Sequence, residues 1–403
     1  MAVSVLLGLM SVMLNVTAVS LAVPRIMSSF STSLETAQWV VLANMVTSTA
    51  LIPSTAWLGG RLGSRNLFIG CMSLFLVSQI LCAIAWNVES LIVFRIVAGL
   101  GGGPLLPVTL VILYQSFPPE RQGTAVGLSV LAPSWGAALG FSFGGYLIDQ
   151  WSWRYVFYFN TGFAFLALMM ALHSLKDVGL RHRRPLDLPG LVTMTLFLVT
   201  FLLGISQGQR EGWFRSNYIV ALFTIAVISI VMFLIVELKG KNPFLDLRLF
   251  KIGDFSKLIL CSFVNDIDSM GIFFLFSLYL QTFMDFTPLK TGLIIFPTAT
   301  LHGATALFMG RLSDKANLKK MIIGGVSLRV LAIYRYTFLS SLATVPIILS
   351  ITLLRSFCGG WIMPSVTKAA LRSLPPEKVR DGSAYINLIR SIGQVTGMTM
   401  LIA

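Results

Sequence analysis

Charge is what this chain of 403 residues has least of: Asp, Glu, Lys and Arg together make up 11% of it, against about 25% in a typical soluble domain. A water-soluble enzyme of one or two domains is thereby nearly excluded. Acids are scarcer than bases, 16 against 30, for a net charge of +14. Such a balance raises the question of nucleic acid, which the placement of the charges must answer. Cys71, Cys82, Cys261 and Cys358 lie in or at the ends of apolar runs without metal-like spacing and read as small buried hydrophobes. No His/Cys/Asp/Glu grouping has zinc spacing and no nucleophile motif stands out. Gly99 to Gly103 is not followed by Gly-Lys-Ser/Thr, which disfavours an ATP-driven pump. Residues 3–23 lack a basic n-region and run into Pro24 without a small-residue cleavage site, against a signal peptide.

Apolar length is what the chain has instead. Apolar residues make up 56% of it and the mean hydropathy is +0.82. A helix needs about 20 mostly apolar residues to cross a bilayer, where no water satisfies a free backbone group. Cutting at charge clusters predicts thirteen spans, near 3–23, 37–57, 66–86, 90–114, 122–146, 154–174, 188–208, 217–237, 255–283, 288–309, 320–341, 344–367 and 382–403. Barrel strands of about ten alternating residues do not fit runs this long. With Met1 inside, 20 Lys and Arg fall in cytoplasmic loops and 5 in the opposite loops (Arg25, Arg154, Arg210, Arg215 and Lys290). That asymmetry orients the N-terminus to the cytoplasm. The basic excess is topological, and no soluble basic face is left to bind nucleic acid.

The chain repeats itself. Pro118-Pro119-Glu120-Arg121 recurs as Pro375-Pro376-Glu377-Lys378, an offset of 257. Gly123-Thr124-Ala125 and Gly382-Ser383-Ala384 follow. Arg95, Gly99 and Pro104 have the spacing of Arg355, Gly359 and Pro364, and Leu58-Gly59-Gly60-Arg61 matches Leu312-Ser313-Asp314-Lys315. Two similar halves are expected, 1–187 and 241–403, with two inserted helices over 188–240. Transporters built from parallel repeats place the substrate between the halves and rock one against the other.

Several stretches, taken in order, resemble the major facilitator superfamily, in particular its fourteen-span drug:proton antiporter branch of EmrB/QacA type. Leu14 to Pro24 resembles the first-span motif, Gln38-Trp39-Val40-Val41 the second span, and Leu91 to Gly99 around Arg95 the fourth-span arginine motif. Gly136, Gly140, Gly144 and Gly145 resemble the fifth-span antiporter motif. Gly208 to Trp213, Pro243 to Phe250 and Tyr279-Leu280-Gln281 resemble later signatures. The resemblance implies an all-α membrane protein of major facilitator fold that exports hydrophobic or amphipathic small molecules by proton antiport. It implies no cofactor beyond the proton gradient, no metal and no catalysis. It also implies a multi-pass place in the bacterial inner membrane, small hydrophobic or cationic substrates, and a periplasmic adaptor and outer-membrane channel as partners if the cell is Gram-negative. The branch would finish the thirteenth span and add another, so a chain ending at Ala403 reads as truncated.

Arg95 stands in an otherwise apolar span, where a charge costs about 2.5–3.5 kcal/mol on insertion scales. It reads either as a fixed cation that tunes a nearby acid or as a structural arginine bonded to carbonyls; Arg355 is its repeat partner. Asp266 and Asp268 are the acids well inside a predicted span and the candidates, with Arg95, for proton coupling. Two residues apart, they point about 200° from one another on a helix. Candidate cavity residues are Asn15, Phe273, Phe274, Tyr279 and Gln281; candidate switch residues are Arg61, the four fifth-span glycines, Gly310, Asp314 and Arg355. Arg390 reads as structural, Arg329 and Arg335 have no evident partner, and His302 reads first as a core hydrogen-bonding residue. Three departures from the family pattern stand out: Asn15 in place of an acid, Gly60 in place of an Asp, and Phe141 in place of a proline. They prompt an alternative reading as a non-transporting membrane sensor.

Overall fold

The computed structural model describes residues 1–176, 187–239, 247–286, 288–338 and 344–400. The first group of helices is α1 (Ala2–Phe30), α2 (Leu34–Leu51), α3 (Ser54–Leu62), α4 (Ser64–Ala83), α5 (Val88–Gly102), α6 (Leu105–Ser116), α7 (Gln122–Gln150) and α8 (Arg154–Ser174). Next come α9 (Leu188–Glu211) and α10 (Asn217–Lys239). The last group is α11 (Gly253–Leu278), α12 (Pro288–Ser313), α13 (Leu318–Tyr334), α14 (Val345–Arg372) and α15 (Val379–Met400). No strand occurs among the described residues.

Local sequence explains where these helices start and break. Asn87 caps α5 by accepting the Ser90 N–H at 2.8 Å, and Asp187 caps α9 by accepting the Gly190 N–H at 2.9 Å. Pro53 lacks a donor and separates α2 from α3, which bend by 61°. Pro104 likewise separates α5 from α6. A helical segment therefore lies at each of the thirteen expected positions, but length and composition qualify only ten as spans, or eleven with the bent pair, among the described residues. The remaining two, α11 and α15, carry Asp266, Asp268 and Arg390 in their interiors, and Asp266 meets Arg390 where the two helices touch.

Lipid tails are as apolar as leucine, so small residues that permit close approach decide helix packing in a membrane. A Cβ at Gly136 would strike the Met10 backbone, one at Gly140 the Thr17 hydroxyl, and one at Gly144 would lie 2.6 Å from Ala18 Cβ. These three glycines seat α7 on α1. Gly145 has no such need, its nearest neighbour being Leu21 at 3.8 Å. In the second group, Gly393 and Gly397 press α15 against the carbonyls of Phe263 and Ile267 in α11.

The groups meet along α7 and α12. Gly123 and Gly127 face Gly310 and Ala306 near one end, and near the other a Cβ on Gly292 would be 3.2 Å from the Phe141 carbonyl. At the end that carries the α7 N-terminus, α15 reaches α3 and α6, with Ser383 Oγ donating to the Pro107 carbonyl at 3.2 Å. Leu110, Tyr114, Val126, Leu371, Leu374 and Tyr385 form one apolar cluster there. On the other flank α9 packs on both α2 and α15, and α10 packs on α9. Helix α9 thus bridges the two groups.

Candidate functional site

Arg95 is 1% exposed and reaches from α5 to α1 and α2. Its Nε donates to the Val40 carbonyl at 2.8 Å and its Nη1 donates to Asn15 Oδ1. Asn15 Nδ2 donates in turn to Gln79 Oε1 at 2.6 Å. Asn160 Nδ2 reaches the same oxygen at 3.3 Å, and Ser11 Oγ donates to Asn160 Oδ1 at 2.8 Å. A chain of neutral groups thus ties together α1, α4 and α8, Arg95 joins α5 to it, and it contains no acid. Each buried donor finds an acceptor, as a buried polar network requires. Asn15 is fully buried in this network. Gln79, Asn160 and Ser11 were not among the expected residues; a lone Gln in an apolar span was the available signal.

The acids lie in α11, and the helix separates them. Asp268 faces α13, where Arg329 donates Nε to Oδ2 at 2.6 Å and brings Nη2 to the same oxygen. Arg329 Nη2 also donates to Ser269 Oγ at 2.7 Å. Arg355 of α14 adjoins, donating Nε to the Tyr336 hydroxyl at 3.1 Å and Nη1 to the Ser269 carbonyl at 3.4 Å. Asp266, 2% exposed, faces α15 instead. It accepts from Ser262 Oγ at 3.3 Å and from Gln394, while the Arg390 Nε stands 3.7 Å away without donating a hydrogen bond. Arg95 therefore has its partners in the first helix group, and both acids have theirs in the second. Arg329, without an evident partner in the sequence, is the counter-ion of Asp268.

A third cluster links the groups at the α7 N-terminus. Asp314, just after α12, accepts from the Gly123 N–H at 2.6 Å, the Thr124 N–H at 3.1 Å and Thr124 Oγ1 at 2.7 Å. The carboxylate thus sits on the N-terminus of α7, where free N–H groups and the helix dipole favour an anion. Lys368 of α14 donates to it at 2.7 Å and to the Ser313 carbonyl at 2.9 Å. Burial alone would raise the Asp314 carboxyl, but the hydrogen bonds from Lys368, Thr124 and Gly123 and the Lys368 charge outweigh it and hold it below its ordinary value. Gly60, at the equivalent place in the first half, offers no carboxylate to α15.

The remaining candidates are dispersed. Arg61 stacks over Trp57 at 5.4 Å, and Gly310 lies against Gly123. Phe273 meets Phe141 across the α7–α11 boundary, ring centroids 5.8 Å apart, and Tyr279 stacks near Phe276 at 6.5 Å. The side chains of Phe274 and Gln281 lie outside the described residues, as do residues 243–246 of one family-like stretch. No group of His, Cys, Asp and Glu among the described residues is arranged to hold a metal.

A profile of the Major Facilitator Superfamily matches residues 5–398. The uncharacterized MFS-type transporter YhcA of Bacillus subtilis is 30% identical over 397 residues, which cover 98% of this chain and 74% of that one. The multidrug export protein EmrB of Haemophilus influenzae is 30% identical, over 96% of this chain and 76% of its own. EmrB of Escherichia coli is 26% identical over the same shares. Among solved structures, the human organic anion transporter MFSD10 superposes with a TM-score of 0.70 at 15% identity, covering 99% of this chain and 92% of that one. The proton:xylose symporter XylE superposes at 0.66 with 16% identity, covering 99% and 86%. At these identities the two structures carry the fold alone.

Proposed function

The chain belongs to the major facilitator superfamily, and on that premise we propose that it is a secondary transporter that exports hydrophobic or amphipathic small molecules in exchange for protons. Residues 1–187 and 241–403 move against each other, with 188–240 as the inserted pair, and Met1 lies on the cytoplasmic side of a bacterial inner membrane. The charge asymmetry of the loops supports that orientation, and the names of the EmrB relatives support the export reading.

The observation that carries proton coupling is the distribution of acid. The buried arginine of the first half is bound by neutral Asn15 and Val40, so nothing there can titrate near neutrality. The two acids in the middle of α11, Asp266 and Asp268, remain, Asp254 standing in its first turn. Asp268 is locked to Arg329, a charge-assisted pair that is costly to break once buried. Asp266 is held by neutral donors, with its nearest guanidinium nitrogen at 3.7 Å. Asp266 is thus the acid that exchanges its proton at the smaller cost, and Asp268 the one that stays paired. Asp314 closes the cytoplasmic end by binding the α7 N-terminus, and releasing it opens the substrate path to that side.

The test is efflux of an amphipathic dye from cells or proteoliposomes with and without an uncoupler. Efflux that collapses with the pH gradient supports the proposal, and efflux indifferent to it refutes the coupling.

A further inference from the structure

Two opposite charges are buried together at the α7 N-terminus. The side chains of Asp314 and Lys368 are 7% and 4% exposed, and Lys368 Nζ lies 2.7 Å from Asp314 Oδ1. Arg311 and Lys315, the cations beside Asp314 in the sequence, are exposed instead. The lysine ammonium also donates to the Ser313 carbonyl at 2.9 Å, so both of its partners belong to the last group of helices. The Gly123 and Thr124 donors belong to the first group. A separation of the groups at this end therefore leaves the ion pair whole and breaks only the contacts with uncharged donors.

The internal repeat supplies the same place without the pair. The offset of 254 that relates Leu58 to Leu312 puts Gly60 opposite Asp314. The offset of 260 that relates Arg95, Gly99 and Pro104 to Arg355, Gly359 and Pro364 puts Val108 opposite Lys368, and the offset of 257 that holds from Pro118 onward would put the equally apolar Val111 there. Acid and base are thus both present in one half and both absent from the other. A shallow cavity lined by Thr55, Gly59, Pro107, Val108 and Val111 marks the uncharged copy. Either charge alone would be buried without a counter-ion, which is costlier than having both or neither.

We propose that Lys368 is the positioning residue of the Asp314 contact, the counter-ion that lets this end bury a carboxylate against the α7 N-terminus. The inference rests on the transport cycle proposed above, in which that contact holds the cytoplasmic end closed. While the pair is buried, no water can replace either partner; once the end opens, water solvates both and the pair is worth little. Lys368 therefore favours the closed form, and its effect runs through Asp314.

The test is the accessibility of a cysteine placed at Ser383, which is fully buried at this end, in the purified full chain with the four native cysteines replaced by alanine. Maleimide labelling at neutral pH is normalised to a fully exposed control cysteine. Lys368→Met is expected to raise labelling several-fold, and Lys368→Arg, which keeps the charge, to leave it near the wild-type level. In an Asp314→Asn background the sign reverses: Lys368→Met is expected to lower labelling about two- to threefold, because it removes a stranded ammonium. A lysine that merely fills space would raise labelling in both backgrounds, and that result overturns the proposal. Should either single substitution prevent folding, the double variant, uncharged like Gly60 and Val108, is expected to fold; a double variant that also fails overturns the proposal. Dye efflux in proteoliposomes separates the two readings. If labelling reverses in this way but no dye is moved, the export reading fails and the role of Lys368 stands; if dye is exported and the reversal is missing, the role of Lys368 fails and export stands.

Discussion

Arg95 donates a guanidinium N–H to the side-chain oxygen of Asn15, joining α5 to α1 in the interior of the first half. Arg355, which has the spacing of Arg95 in the sequence repeat, meets the backbone carbonyl of Ser269 in α11. Each of the two arginines is thus bound by neutral oxygen. What differs is the acid at Asp268, which recruits Arg329 from a third helix.

Replacing Arg95 by Ala leaves Asn15 Oδ1 and the Val40 carbonyl without their donor. The expected loss is about 2–3 kcal/mol, the scale of charge-assisted hydrogen bonds, read as a lower thermal midpoint of the detergent-solubilised protein. Asn15→Asp should keep or raise that midpoint, because it supplies a counter-ion at an existing contact.

Breaking one side of the Asp268–Arg329 pair strands a buried charge. Asp268→Asn is expected to cost about 3–5 kcal/mol, and Asp268→Asn with Arg329→Gln to recover most of it. A double variant as unstable as the sum of the single ones would show that the pair is not the unit of stabilisation.

Gly140 and Gly145 separate packing from motif membership. Gly140→Ala drives a Cβ into the Thr17 hydroxyl and to 2.7 Å from the Leu14 carbonyl, whereas Gly145→Ala meets nothing closer than Leu21 at 3.8 Å. Folded yield and thermal midpoint should fall for the first by about 1–3 kcal/mol and stay unchanged for the second.

In the proposed transport cycle the Asp314 contact holds one end closed and is insensitive to mild acid. A carboxyl whose value is lowered in the closed form stabilises that form above its ordinary value of 3.8, and the contribution is lost only as pH falls through the lowered value. In a background without native cysteines, Ser383→Cys reports opening, since Ser383 is fully buried at that end. Maleimide labelling, normalised at each pH to a fully exposed control cysteine because the thiolate is the reacting species, should stay flat from about pH 5 to 8, where the carboxylate remains ionised, and rise several-fold with Asp314→Asn. Normalised labelling that rises between about pH 7 and 5 would contradict this sign.

Much of the fold was legible because it follows from length and apolarity: each expected span coincides with a helical segment, although the breaks at Pro53 and Pro104 fall inside two spans that were expected whole. The 200° between Asp266 and Asp268 likewise followed from helix geometry, and the two acids face α15 and α13. The partners were not legible. Arg329 lies 61 residues from Asp268, and which side of α13 turns inward depends on packing that periodicity does not encode in an almost uniformly apolar helix. Lys368 counted as a loop cation in the sequence, yet it lies inside α14 and reaches Asp314. Gln79 and Asn160 were invisible for the same reason, since a single polar side chain in an apolar run announces burial but not its partner.

The central claim is that Asp266 carries the proton whose return drives export. The most direct measurement compares energised efflux with downhill exchange of the same substrate in proteoliposomes of wild-type protein and Asp266→Asn. The account predicts that the variant loses efflux driven by a pH gradient yet keeps substrate exchange near the wild-type rate. Energised efflux that survives the substitution, with proton movement still coupled to substrate, would contradict it.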